Sequence, residues 1–242
     1  MQILLVSDLH YTLKQLDWVS SVAGEFDLVV LAGDHLDISS IVEPDAQIAV
    51  ILEYMSRMAA KTAVAACSGN HDLNGRNAHG ELSALWLDGA RASGVLVDGS
   101  HLETEKVFIT VCPWWDGPLT REIVGEQLAA DAKLVKGRQW IWVYHAPPDD
   151  SPTSWTGKRH YGDEDLVRWI GQYEPAIVLC GHVHESPFKD DGDWIDLIGT
   201  TTVVNAGRQR GPIPCCVEID TEAGHARWSS LAGVEERTFA GV

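Results

Sequence analysis

Apolar runs of strand length alternate with stretches of helical period through most of this 242-residue chain. Runs at 2–7, 27–32 and 62–67 are separated by amphipathic patterns near 13–23 and 44–60, and a third helix is expected over 80–93. After Val107 to Cys112 the pattern predicts a helix over 119–135, a strand at 139–144, a helix near 163–173 and a strand at 176–180. Such alternation is the signature of parallel strands joined by crossover helices. From Trp194 onward the character changes. Short strands are expected near 194–198, 201–205, 214–219 and 225–230, punctuated by Gly192, Gly199, Gly211 and Gly224, with no helix among them. This tail reads as a meander that closes a second sheet. No repeat, low-complexity segment or linker divides the chain, so residues 1–242 are expected to form a single domain.

Five of the strand-like runs end in groups that bind metal. Asp8-Leu9-His10 follows the first, Gly33-Asp34 the second, and Gly69-Asn70-His71-Asp72 the third. Tyr144-His145 ends the run from Trp140 to Val143, and Gly181-His182-Val183-His184 the run from Ile177 to Cys180. The carboxyl ends of parallel strands converge in an open α/β sheet, which makes them a natural place for a compact centre. In each spaced pair, residues i and i+2 of an extended segment share a face, so Asp8 reaches beside His10 and His182 beside His184. Alone, each short motif is more often a turn or a helix cap. Five in succession, each after a strand, point to a metal centre. Carboxylates, imidazoles and an amide without thiolate suit Mn, Fe or Zn better than Ca or a structural zinc. Two ions use this many ligands better than one does, with a carboxylate bridging a pair roughly 3.5 to 4 Å apart.

Composition narrows the setting. An apolar fraction of 45% and a charged fraction of 22% are those of a globular protein. No apolar run approaches the roughly 20 residues that span a bilayer, and the N-terminus enters a strand directly, so a cytoplasmic protein without a membrane partner is expected. Five cysteines, none spaced as a zinc or redox pair, agree with that compartment. The formal net charge of −17 offers no footprint for duplex phosphates, which makes nucleic acid an improbable partner and a small phosphoester the better one.

The ordered blocks D-x-H, GD, GNH, H and GHxH resemble the calcineurin-like metallophosphoesterases. The resemblance runs from Asp8 to about Gly207, where Val204-Asn205-Ala206-Gly207 resembles the family's Asn-Pro-Gly segment with Ala in place of Pro. It implies a four-layer α/β/β/α sandwich of two mixed sheets flanked by helices. It also implies one metal on Asp8, His10, Asp34 and His184 and a second on Asp34, Asn70, His145 and His182, with Asp34 bridging. The implied activity is dinuclear phosphoester hydrolysis by in-line attack of a metal-bridging hydroxide. The substrate is a small phosphodiester, cyclic-nucleotide-like, or a phosphomonoester, with the diester preferred because the GNHD and GHxH blocks together resemble the cyclic nucleotide phosphodiesterase and nuclease branches. A nuclease of the same superfamily and a non-catalytic metal-binding scaffold are the alternatives.

By the same resemblance His71 is the acid for the leaving oxygen, a role typically worth about 10² to 10⁴ in rate. Asp72 either orients that imidazole or serves as a turn or cap residue. His35 and Asp37 match a GDxxD form and are not expected to be ligands. Asn70, His71, Lys158, Arg159 and Arg208 are the candidate substrate contacts. Lys158 and Arg159 lie in the segment from Trp155 to Tyr161, which reads either as a substrate lip or as a solvated loop; Trp114 and Trp115 read as a stacking surface or as packing.

Overall fold

The computed structural model describes residues 1–239. Its first half follows the expected alternation through β1 (Gln2–Val6), α1 (Leu13–Val22), β2 (Leu28–Ala32), α2 (Pro44–Ala59) and β3 (Ala63–Cys67). Then come a small hairpin of β4 (Gly75–Arg76) and β5 (Leu82–Ser83), a one-turn α3 (Asp88–Arg91) and β6 (Leu96–Val97). The second half runs through β7 (His101–Glu103), β8 (Val107–Val111), α4 (Pro118–Val135), β9 (Gln139–Val143), α5 (Glu164–Tyr173) and β10 (Ile177–Cys180). The tail supplies β11 (Ile195–Ile198), β12 (Thr201–Asn205), β13 (Cys216–Asp220), β14 (His225–Ser230) and β15 (Gly233–Thr238). No helix among the described residues is long and apolar enough to cross a membrane.

Two mixed sheets result. One has the order β15-β14-β13-β1-β2-β3-β6, the other β11-β12-β10-β9-β8-β7. In the first, β1, β2, β3 and β6 are parallel, and the meander β13 to β15 adds to β1 antiparallel. In the second, β8, β9, β10 and β12 are parallel between two antiparallel edges. Strand alternation divides the apolar side chains between faces. Ile3 and Leu5 of β1, Val30 of β2, Ile109 of β8, Ile141 of β9 and Leu179 of β10 meet in the core between the sheets. Leu4 and Val6 of β1 point the other way, into a core with Leu16 and Val19 of α1 and Ile51 and Met55 of α2. Phe108, Trp140 and Trp142 do the same on the second sheet, against Val124 and Leu128 of α4 and Leu166 and Ile170 of α5. Three apolar cores between four layers make the expected α/β/β/α sandwich. Proline in the first turn sets the start of α2 and α4, and the Asp163 carboxylate caps α5 by accepting from Asp165 N–H.

The helix expected over 80–93 is cut down to 85–91. Asn77 Oδ1 accepts from the N–H groups of His79 and Glu81, and Gly80 sits at a φ of +81°, so the chain turns back as the β4–β5 hairpin. Glu81 then accepts from Leu119 and Thr120 N–H at the start of α4, a tertiary use that a local helical period does not reveal. Of the expected helix a 3-10 turn at Leu85–Leu87 and α3 directly after it survive. The short strands β6 and β7 and the edge strand β15 were not among the expected elements; β15 is exposed along its whole length and has no apolar alternation to announce it.

Candidate metal centre

All the sheet ends named above converge at one place. Asp8 follows β1, Asp34 follows β2, Asn70 and His71 follow β3, His145 follows β9, and His182 and His184 follow β10. One ligand atom each from Asp8, His10, Asp34 and His184 lie within 4.8 Å of one another, and so do those of Asp34, His145 and His182. Asp34 belongs to both groups. Its Oδ1 stands 3.4 Å from His145 Nε2 and its Oδ2 3.7 Å from His10 Nε2, so one oxygen faces each side.

The donors are oriented for a cation. His10 Nδ1 donates to Leu36 O at 3.2 Å and His145 Nδ1 to Ala32 O at 2.7 Å, which leaves both Nε2 atoms directed inward. His10 Nε2 meets His184 Nε2 at 3.3 Å, and His184 Nε2 meets Asp8 Oδ1 at 3.2 Å. Asn70 Oδ1 and His145 Nε2 are buried without any hydrogen-bond partner. Buried polar atoms are rarely left so, and a cation is the group that would satisfy them. The residues present therefore fit a resident metal.

Burial and charge set the protonation these groups have without a cation. Burial lowers His10 to about 4 despite Asp34 and Asp8, with Arg208 lowering it further. Burial lowers His182 to about 4 as well, and the charge on His145 adds to it. His145 is the exception: burial opposes its charge, but Asp34 and Asp8 raise it to about 9. Asp34 is held well below the usual carboxylate range; burial raises it, and His145 together with the His71 N–H more than offsets that.

The loops reach this geometry at a conformational cost. Asp8, His10, Asp34 and His182 adopt left-handed φ values of 56°, 41°, 54° and 67°, a region sparsely populated outside glycine. Close approach is also required. A Cβ on Gly69 would lie 2.2 Å from Asp34 Oδ1, and one on Gly181 2.5 Å from Asp8 Oδ2.

The candidate catalytic and substrate residues divide. His71 lies at the centre: its peptide N–H donates to Asp34 Oδ1 at 2.9 Å, its Nε2 is 3.9 Å from Asp34 Oδ2, and its ring meets His10 edge-on at 4.6 Å. Asp72 does not hold that imidazole. Its carboxylate is fully buried and accepts from the N–H groups of His35, Leu36 and Gly69, at 2.8, 3.0 and 2.8 Å, tying the Asp34 loop to the Asn70 loop. His35 Nε2 donates to Cys67 O at 2.9 Å. Arg208 is half-buried beside the centre, with its peptide N–H donating to His184 O at 3.1 Å and its side-chain charge felt at His10 and Asp37. Lys158 and Arg159 are exposed, and Arg159 is tied to the site only through Tyr161, over whose ring its guanidinium lies at 5.3 Å. Asn205 pins the last motif by donating to Val183 O and Thr153 O. Trp114 borders His145 and His182, whereas Trp115 packs behind it; the individual importance of Trp114 and Tyr161 was not legible, since only the candidate ligand His182 between them distinguishes them from other aromatics.

Solved structures of similar fold share these layers. TT1561 of Thermus thermophilus superposes with a TM-score of 0.62 at 14% identity, covering 98% of each chain. A dimetal phosphatase from Danio rerio superposes with a TM-score of 0.59 at 11% identity over 99% of each chain. GAP50, described as the anchor in the inner membrane complex of Plasmodium, does so with a TM-score of 0.59 at 10% identity, covering 99% of this chain and 89% of its own. At these identities the likeness is one of fold. No curated protein sequence matches the chain significantly. The calcineurin-like phosphoesterase superfamily domain matches residues 1–222, and the chain belongs to that superfamily, whose members are metal-dependent phosphoesterases.

Proposed function

We propose that the chain is a phosphoester hydrolase working with two cations, one on Asp8, His10, Asp34 and His184 and the other on Asp34, Asn70, His145 and His182. The observation that carries this reading is the convergence of the Asp and His donor atoms into two groups that share Asp34, with Asn70 Oδ1 and His145 Nε2 buried beside them without a hydrogen-bond partner. Mn, Fe or Zn suits these ligands. When bound, the cations lower the pKa of water toward neutrality and neutralise the charge on the phosphoryl oxygens.

The protein's own share of the chemistry is positional and acid–base. Asp34 presents one oxygen to each half of the centre, and the hydrogen bonds of His10 and His145 to main-chain carbonyls hold those rings in place. His71 Nε2, facing Asp34, carries the proton that goes to the leaving oxygen. Asp72 acts indirectly, by holding both loops through three peptide N–H groups.

A small phosphodiester is the preferred substrate. His71 also forms one wall of a recess of about 210 Å³ bounded by Leu36, Asp37, Ile38 and Leu73, and no lysine or arginine lines it. That volume and lining suit a small, uncharged leaving alcohol. A doubly charged monoester calls for further cationic contacts; the Arg208 charge is felt at His10, and Lys158 and Arg159 lie outside on the surface. The net charge of −17 weighs against a nuclease.

Hydrolysis of bis-p-nitrophenyl phosphate and p-nitrophenyl phosphate, side by side, by metal-stripped protein titrated with Mn²⁺ tests the reading. Metal-dependent cleavage with the diester preferred is expected. Monoester preference would make the protein a phosphatase, and inactivity toward both with Mn²⁺, Zn²⁺ and Fe²⁺ would return it to the scaffold reading.

A further inference from the structure

A histidine that binds metal must be held in one ring orientation, and a hydrogen bond on its second nitrogen is the usual device. His10 and His145 have that bond, to Leu36 O and Ala32 O. Among the described residues His184 is engaged at Nε2 alone, through contacts with the neighbouring donor atoms Asp8 Oδ1 and His10 Nε2. His182 differs. Among the described residues its imidazole makes no hydrogen bond; only its peptide N–H is engaged, donating to both oxygens of Asp8.

Two aromatic rings flank it instead. Tyr161 stacks on the His182 ring with centroids 5.2 Å apart and planes 19° from parallel, and Trp114 lies 5.2 Å away at 44°. The Trp114 side is rigid. Trp114 stacks within 4° on Trp115, whose Nε1 donates to Tyr144 Oη at 2.9 Å and Asp163 Oδ2 at 2.8 Å, and the Arg121 guanidinium covers Trp115 at 3.6 Å. The Tyr161 side is the surface: that ring is 52% exposed, with Arg159 as its outer neighbour.

We infer that Trp114 and Tyr161 are positioning residues that orient the His182 imidazole by packing, and that the Tyr161 ring sets the affinity of the metal position to which His182 belongs. The inference rests on the two-cation reading above. A ring held by stacking alone regains rotation about its side-chain bonds once one of its neighbours is removed. Among the described residues Tyr161 stacks on His182 and on none of Asp8, His10, Asp34 and His184, so the position those four form has no such dependence. The two positions should therefore respond differently to a change at Tyr161, a surface residue whose removal leaves the three cores intact.

Calorimetric titration of metal-stripped full-length protein with Mn²⁺ decides the matter, comparing wild type, Tyr161→Ala and Tyr161→Phe. The wild type is expected to take up two equivalents. In Tyr161→Ala the affinity for one equivalent should fall about 10- to 100-fold, the usual effect of losing a ligand's support, with the other unchanged, and Tyr161→Phe should behave as wild type because the ring and not the hydroxyl is at work. Two equivalents of unchanged affinity in Tyr161→Ala would overturn the inference alone, as would equal losses in the Ala and Phe variants. A wild type that binds a single equivalent would overturn the two-cation reading and the inference with it.

Discussion

His145 Nε2 stands 3.4 Å from Asp34 Oδ1 while its Nδ1 is committed to Ala32 O, so in the metal-free protein the proton on Nε2 occupies the place a cation would take. With that imidazole raised to about 9, proton and metal compete throughout the neutral range. Mn²⁺ uptake at pH 7 should release about one proton, and affinity should rise about tenfold per pH unit until pH approaches 9. Calorimetry in buffers of different ionisation enthalpy measures the released proton directly; a buffer-independent heat would show that His145 is already neutral.

The same groups predict how the stability of metal-free protein varies with pH. His145 has a folded value above its ordinary 6.5, so its contribution is complete below that value and is lost as pH rises toward 9. His10 and His182, lowered to about 4, act in the opposite sense: their unfolded forms take up protons first, and stability is lost as pH falls from 6.5 toward 4. The chelator-treated protein should therefore melt at its highest temperature near pH 6.5, with lower Tm on either side. A Tm that rises steadily from pH 6.5 to 9 would contradict the His145 assignment.

His71→Ala and Asp72→Asn should fail in different ways. Loss of the His71 imidazole leaves the proposed ligands in place, so kcat should fall at least about tenfold with both metals retained and Tm little changed. Asp72 accepts three buried peptide N–H groups, and weakening those bonds should cost on the order of 1–3 kcal/mol of stability. Metal content, thermal melting and turnover of a substrate with a poor leaving group separate the two. Equal turnover by His71→Ala and wild type would remove His71 from the chemistry.

Gly69→Ala places a methyl group 2.2 Å from Asp34 Oδ1 and 2.5 Å from Asp34 N, both fixed by the β2 end. The loop must move, and Asn70 with it. A loss of about 10- to 100-fold in metal affinity is expected, read by titration with Mn²⁺. Gly80→Ala is the control, since its Cβ meets nothing within 4 Å, although its φ of +81° makes some loss of stability likewise expected.

Much of this was legible because each strand–ligand unit is local: an apolar run followed by Asp8, Asp34, Asn70, His145 or His182 carries both the element and the donor. What escaped depends on distant partners. Glu81 belongs to the start of α4, some forty residues on, so the segment around it carried a false helical period. β15 has only exposed residues and exists by pairing with β14. Asp72 follows His71 in sequence, yet buried peptide groups from the preceding β2 loop draw its carboxylate away. Trp114 and Tyr161 lie nearly fifty residues apart and acquire their meaning from the histidine between them.

The left-handed backbone at Asp8, His10, Asp34 and His182 makes the centre fragile under one kind of selection. Glycine occupies that region without the Cβ clash, so exchanging any of these residues for glycine relieves a local conflict while deleting a donor. A mutant library of metal-free protein ranked for heat resistance alone would therefore shed its proposed ligands early, and thermostable clones of this chain should be sequenced at these four positions before they are assayed.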